Sequence, residues 1–279
     1  MTQQEVHFLD GQIAALVSGQ QNSSPILFVH GFLDNAASFD DVVSHLANHY
    51  CIAIDLPGHG KSAHRSKDAH YHLTDYVYDL HRLIESNDFT NVTLVGHSLG
   101  GIISSIYCAL YPNKVANLVV IESLGPLTEP EFTTVAQLRG SMASRDKANG
   151  PIKHPKSMED VVAARMRVSD LSASEALRIL SRNIVEYDGA LKWRTDKRLR
   201  TQSAIRMTPN QAMNIIENIQ CTFNLVLGDR GFTKIKRMLK HRRNIFKHFN
   251  MVEFKGGHHV HMQAPDKVAE FIINVMNTH

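Results

Sequence analysis

A serine between glycines, a strand-end glycine followed by a residue whose N–H can face the substrate, and a late histidine are together able to transfer an acyl group. In this chain the serine is Ser98, in Gly96-His97-Ser98-Leu99-Gly100-Gly101. The pattern G-x-S-x-G makes a sharp strand-to-helix turn, because the flanking glycines remove Cβ clashes and let Oγ project from the sheet. The following helix starts with oriented N–H groups that favour negative charge. His30-Gly31-Phe32 closes an apolar run, and its glycine allows the loop to fold close to the serine. The Phe32 and Leu99 N–H groups then form an oxyanion hole, a pair of donors aimed at charge that develops in the transition state. A general base must come from a loop at the same sheet edge. The segment Gly256-Gly257-His258-His259-Val260-His261 offers three histidines for that task.

Those groups need a scaffold that brings loops to one edge. The runs PILFVH (25–30), CIAID (51–55), NVTLVG (91–96), NLVVIE (117–122), FNLVLG (223–228) and MVEFK (251–255) read as strands. Near-continuous apolarity in the first four suits parallel strands covered on both faces. Helical periodicity fills 40–49, 73–86, 99–111 and 265–276, with Thr74 as the expected cap of the second. Residues 5–17 read as a hairpin turning at Asp10-Gly11. This βαβα order predicts a mostly parallel sheet with helices on both faces. From Pro126 to about Met207 the pattern is helical with no convincing strand, 158–169 and 174–187 being its clearest helices. A helical lid, 127–207, is therefore expected inside a core made of 1–126 and 208–279.

Other patterns carry less chemistry. Gly60-Lys61-Ser62 resembles the end of a phosphate loop, but the leading glycine would have to stand at Asp55. The stretch DLPGHGKS (55–62) is read as a structural turn. The close histidines suggest a metal only weakly, since no accompanying carboxylate or cysteine ligand set is evident and His70 and His72 form a similar chance pair. No metal and no cofactor are expected. With 30 Lys and Arg against 27 Asp and Glu, the charge gives no case for nucleic acid. The basic stretch 234–247 alternates with apolar residues, as in the solvated face of an amphipathic helix. Three separated cysteines read as reduced thiols, no leader or membrane-spanning run is evident, and a cytoplasmic location is expected by default. Oligomeric state is not readable.

The strand-HG motif, DLPGHGKS, GHSLGG and a C-terminal GGH occur in the order shown by the α/β-hydrolase superfamily, which the chain resembles over nearly its whole length. VIESLGP (120–126) and WRTDKRLR (193–200) resemble its serine-hydrolase-like branch. The resemblance implies His258 as the base, directly after Gly257 and shortly before Pro265, with His259 and His261 as packing or hydrogen-bonding residues. The family commonly carries its acid three residues after the glycine that ends the strand following the lid. Here that position is Gly231, which has no side chain to orient an imidazole. Glu122, at the strand end where haloalkane dehalogenases carry their acid, is the preferred candidate, and Asp229 is the alternative. Ser98 argues against an aspartate-nucleophile chemistry. The expected reaction is hydrolysis of a small ester-like substrate through an acyl-enzyme. An acyltransferase, a thioesterase, a carbon–carbon hydrolase and a non-catalytic binding module are the rivals, the last supported by the missing acid at 231. The lid mixes Met142, Met158, Met166 and Leu171 with Arg194, Arg198 and Arg200, which read as packing plus solvated charge or as an anion-recognising surface.

Overall fold

The computed structural model describes residues 3–21 and 24–278; Met1, Thr2, Asn22, Ser23 and His279 lie outside this description. Eight strands form one sheet: β1 (Gln4–Phe8), β2 (Ile13–Ser18), β3 (Ile26–Val29), β4 (Cys51–Ile54), β5 (Val92–His97), β6 (Val115–Ile121), and, after a short hairpin of β7 (Ile184–Tyr187) and β8 (Ala190–Trp193), β9 (Phe223–Gly228) and β10 (Phe249–Phe254). Their order is β1-β2-β4-β3-β5-β6-β9-β10. The six strands from β4 to β10 run parallel, and β1 and β2 are antiparallel additions at one edge.

The apolar runs form strands because they are covered twice. Leu27, Ile52, Leu94, Leu118 and Leu225 face one core. Their neighbours Phe28, Ala53, Val95, Val119 and Val226 face the other, as the period of two requires. The first core is closed by α2 (Leu73–Ser86) and α3 (Leu99–Leu110), the second by α10 (Pro265–Met276) and the short α1 (Asp40–Ser44). The β1–β2 hairpin turns at Asp10 and Gly11, both at positive φ, with the Gln12 N–H donating to the Leu9 carbonyl at 3.1 Å. At the opposite edge, β10 has only exposed and half-buried residues.

The remaining helices are α4 (Thr134–Ala148), α5 (Met158–Val168), α6 (Ala173–Asn183), α7 (Pro209–Glu217), α8 (Thr233–Arg242) and, just before α10, α9 (Val260–Gln263). Thr128 and Met207 form an isolated β-bridge. Between them lie α4, α5, α6 and the β7–β8 hairpin.

Three local expectations are corrected. Helix α2 takes His72 as its N-cap, and the N–H groups of Asp75 and Tyr76 donate to the His72 carbonyl, so Thr74 is already inside the helix and caps nothing. Residues 184–187 are strand, not helix. Asp188 and Gly189 turn at φ 52° and 70°, and β7 pairs with β8 across them. The β-branched and aromatic run IVEY followed by Asp-Gly is a hairpin signal that helical periodicity had masked. Within the basic stretch, Arg242 is buried rather than solvated and donates to the Leu124 and Pro126 carbonyls, both at 2.9 Å. Cys108 and Cys221, 113 residues apart, meet with their Sγ atoms 3.4 Å apart, both as free thiols.

Among the described residues no helix is long and apolar enough to cross a membrane.

Candidate active site

Ser98 stands at the end of β5, where the strand turns into α3. Its φ of 49° and ψ of −110° are outside the regions a serine prefers, a strain of roughly 1–3 kcal/mol that the surrounding structure must offset. Gly100 explains how the turn fits. A Cβ there would lie 1.9 Å from the Val29 carbonyl oxygen and 2.8 Å from that of His30. Only glycine lets the start of α3 press against the end of β3, and the same close approach continues at Gly31, where a Cβ would lie 2.7 Å from His97 Nδ1. Among the described residues, Ser98 Oγ carries no hydrogen bond.

Two buried histidines hold that loop. His30 Nε2 accepts from the Leu56 N–H at 2.9 Å, while its Nδ1–H donates to the Gly31 carbonyl at 2.7 Å. His59 Nε2 accepts from the Leu33 N–H at 3.3 Å. Burial lowers their pKa values to about 4 and about 3. Both are therefore neutral at pH 7, which is what a ring with one donating and one accepting nitrogen requires. The segment 55–62 thus braces the loop: Asp55 accepts from the Ala36 and Lys61 N–H groups, both at 2.8 Å.

His258 lies in the loop after β10, with its side chain 13% exposed. Its Nδ1 is 3.4 Å from Oε2 of Glu122. Glu122 follows β6, is 2% exposed, and adopts φ 51°. Its carboxylate accepts the Gly228 N–H on Oε1 at 2.8 Å and the Phe232 N–H on Oε2 at 3.1 Å. Such donors offset the cost of burying a charge. A Cβ on Gly231 would lie 2.1 Å from Glu122 Oε1. The carboxylate therefore fills the space that a side chain at 231 would need. Asp229 does not reach the imidazole. It accepts the Gly256 N–H at 2.9 Å, lies near Arg230, and is 44% exposed. The Phe232 ring stacks on His258 with centroids 3.9 Å apart and planes 18° apart, a contact with no sequence signal.

A second layer of charge lies behind these groups. His97 Nε2–H donates to the His258 carbonyl at 2.9 Å, tying the serine turn to the histidine loop. Burial lowers the His97 pKa to about 4. Asp34, 1% exposed, faces His97 Nδ1 at 3.4 Å, His259 Nε2 at 3.5 Å and Arg165 of α5 at 2.5 Å. His259 Nδ1 meets Asp170, between α5 and α6, at 2.5 Å. Burial pulls the His259 imidazole down, but Asp34 and Asp170 outweigh it and hold its pKa at about 9. His259 is thus a cation at neutral pH that joins the 127–207 segment, through Asp170, to the loop after β3, through Asp34. His261 is fully buried between Phe39 and His97. None of Asp34, Arg165 or Asp170 stands in a motif. Each is recruited from far along the chain.

The raised pKa of His259 sets a pH dependence. The group binds its proton more tightly folded than unfolded, so its stabilising contribution is complete below about pH 6.5 and is lost as pH rises through about 9. Melting temperature measured from pH 6 to 10 should fall across that window, and Asp170→Asn should flatten the fall. An Asp170→Asn protein that keeps the full slope would remove His259 as its source.

A serine on a strained strand-to-helix turn, with a histidine and a carboxylate converging from later strand ends, defines the α/β-hydrolase class. Residues 24–265 match the family described as alpha/beta hydrolase fold, and the chain belongs to that family. Over 281 residues it is 28% identical to a serine hydrolase-like protein of Danio rerio, covering 95% of this chain and 85% of that one. A serine hydrolase-like protein of Mus musculus is 26% identical over 288 residues, covering 93% and 90%. The crystal structure of a hypothetical protein from Pseudomonas aeruginosa superimposes with a TM-score of 0.88 at 28% identity, covering 99% of this chain and 98% of that one.

Proposed function

We propose that the chain is a serine hydrolase that cleaves a carboxylic ester through an acyl-enzyme on Ser98. In this reading His258 takes the Ser98 proton as Oγ attacks the ester carbonyl. The Phe32 and Leu99 N–H groups hold the oxyanion, and Glu122 orients the imidazole and stabilises the imidazolium. His258 then protonates the departing alcohol. Water, deprotonated by His258, releases the acid and restores Ser98. Segment 127–207 serves as the lid. The observation that carries the reading is the Glu122 carboxylate on His258 Nδ1, in the space opened by Gly231. It also takes away the support that an empty position 231 lent to a non-catalytic module.

The test is labelling with a fluorophosphonate and turnover of p-nitrophenyl butyrate, beside Ser98→Ala. Both signals are expected in the native protein, with labelling absent and turnover at least about 10³-fold lower in the variant. Equal turnover in the two proteins would dispose of the acyl-enzyme.

A further inference from the structure

Beside the oxyanion loop, the 127–207 segment encloses a cavity of about 740 Å³ that the reaction as written does not use. That size lies within the range of small-molecule sites, roughly 300–1,000 Å³. Its floor is α6, anchored through buried Ile179 and Leu180. Leu33, the residue after Phe32, also lines it. Its walls are α4, the 150–153 loop, α5 and Trp193 of β8. These walls stand off from the core. Helix α5 buries no residue, although it carries Val161, Ala164 and Val168, and α4 buries only Ser141. Val168 is 81% exposed and Ile152 49%, so apolar surface reaches the cavity mouth.

The charge around this apolar space is one-sided. Lys147, Lys153, Arg165, Lys197 and Arg200 line it, against Asp196 alone. Asp196 is neutralised by Arg198 at 2.7 Å and also accepts from Tyr71. Arg165 is committed to Asp34, and Lys197 to the Gly150 carbonyl. Lys147, Lys153 and Arg200 have no carboxylate partner among the described residues. Arg198, by contrast, is spent on Asp196 and on the carbonyls of Arg65, Ser66, Lys67 and Ala69, so it is a clamp and not a free anion site.

We propose that this cavity binds an elongated apolar chain ended by a carboxylate, the chain against Val161, Ala164, Ile179 and Trp193, the carboxylate among Lys147, Lys153 and Arg200. As a statement about the substrate, namely that the esters cleaved carry an anionic end remote from the reacting carbonyl, it rests on the ester-hydrolase reading; as a binding site it does not. Apolar walls supply affinity through buried area. Each exposed charge contact is worth little by itself, and three together favour an anion over a neutral chain by about tenfold.

Trp193 is the single tryptophan of the chain, so its emission reports on this cavity without any turnover. Decanoate titrated into Ser98→Ala should change that emission saturably and bind about tenfold tighter than decanol. Adding Lys147→Glu and Arg200→Glu should erase the preference and leave decanol binding unchanged. Ala164→Phe, at an exposed helix position that tolerates a larger side chain, should weaken both probes while the melting temperature stays within a few degrees. An unchanged emission, or equal binding of decanoate and decanol, overturns the proposal. In the native enzyme, the mono-p-nitrophenyl ester of octanedioic acid should have a lower KM than p-nitrophenyl octanoate, and the double charge reversal should remove that difference. Selective decanoate binding without hydrolysis of either ester leaves the site standing and removes the ester reading. Hydrolysis without selective binding does the reverse.

Discussion

Glu122→Gln is expected to lower kcat for ester hydrolysis about 10³–10⁴-fold with KM nearly unchanged. The Glu122 carboxylate accepts two backbone N–H groups and faces His258 Nδ1 at 3.4 Å. A glutamine has one acceptor oxygen, and its NH₂ must point at a group that also donates, so either the backbone or the imidazole loses its partner. The tautomer that leaves Nε2 free to take the Ser98 proton is then no longer favoured. Asp229→Asn should change kcat less than about tenfold, because Asp229 holds only the Gly256 N–H. Steady-state kinetics of both variants decide the matter, and the reverse pattern would hand the acid's role to Asp229. A companion pair sharpens the test. Gly231→Asp alone should inactivate, since even its Cβ would lie 2.1 Å from Glu122 Oε1. In a Glu122→Gly background the same aspartate enters vacated space and should restore part of the activity. Glycine is the suitable replacement because position 122 has φ 51°.

Arg182→Leu should destabilise the protein by roughly 3–5 kcal/mol, the usual result of removing one partner of a buried ion pair. For a chain of this length that lowers the melting temperature by about 10 °C. Arg182, 8% exposed at its side chain, donates from Nε to Asp55 at 2.8 and 3.0 Å, and from a terminal nitrogen to Glu5 at 3.0 Å. Asp55 is fully buried and also holds the N–H groups of Ala36 and Lys61. Without the guanidinium its charge keeps those two donors but loses its counterion. Lysine at 182 should recover little, since an ammonium cannot supply the planar fork. Asp55→Asn combined with Arg182→Leu should be less destabilised than the sum of the two single changes. Urea unfolding of all three proteins checks this, and additive losses would mean that the two side chains are not coupled. The pair also connects α6 to the loop after β4, so the same variants should loosen segment 127–207 where it meets the core.

What the sequence determined by itself is what short-range physics encodes. Continuous apolar runs marked the parallel strands because burial on both faces leaves no polar alternation, and β9 begins and ends where that run does. The glycines around Ser98 marked a turn that only a missing Cβ permits, and Asp10-Gly11 marked the first hairpin through its positive φ. The same local signal stood at Asp188-Gly189 but directly followed a run, 174–187, that also fits a helix, so periodicity and turn chemistry competed there. The tertiary structure decided the rest. Glu122, Gly231 and His258 are separated by more than a hundred residues at their extremes, and no periodicity relates them. They meet because β6, β9 and β10 are neighbours in the sheet, which sets the loops after them side by side. Whether a carboxylate serves His258 from position 122 or 231 is then a matter of one cavity that holds a single carboxylate. His259 likewise becomes a cation only because Asp34 and Asp170, brought from two distant segments, outweigh its burial.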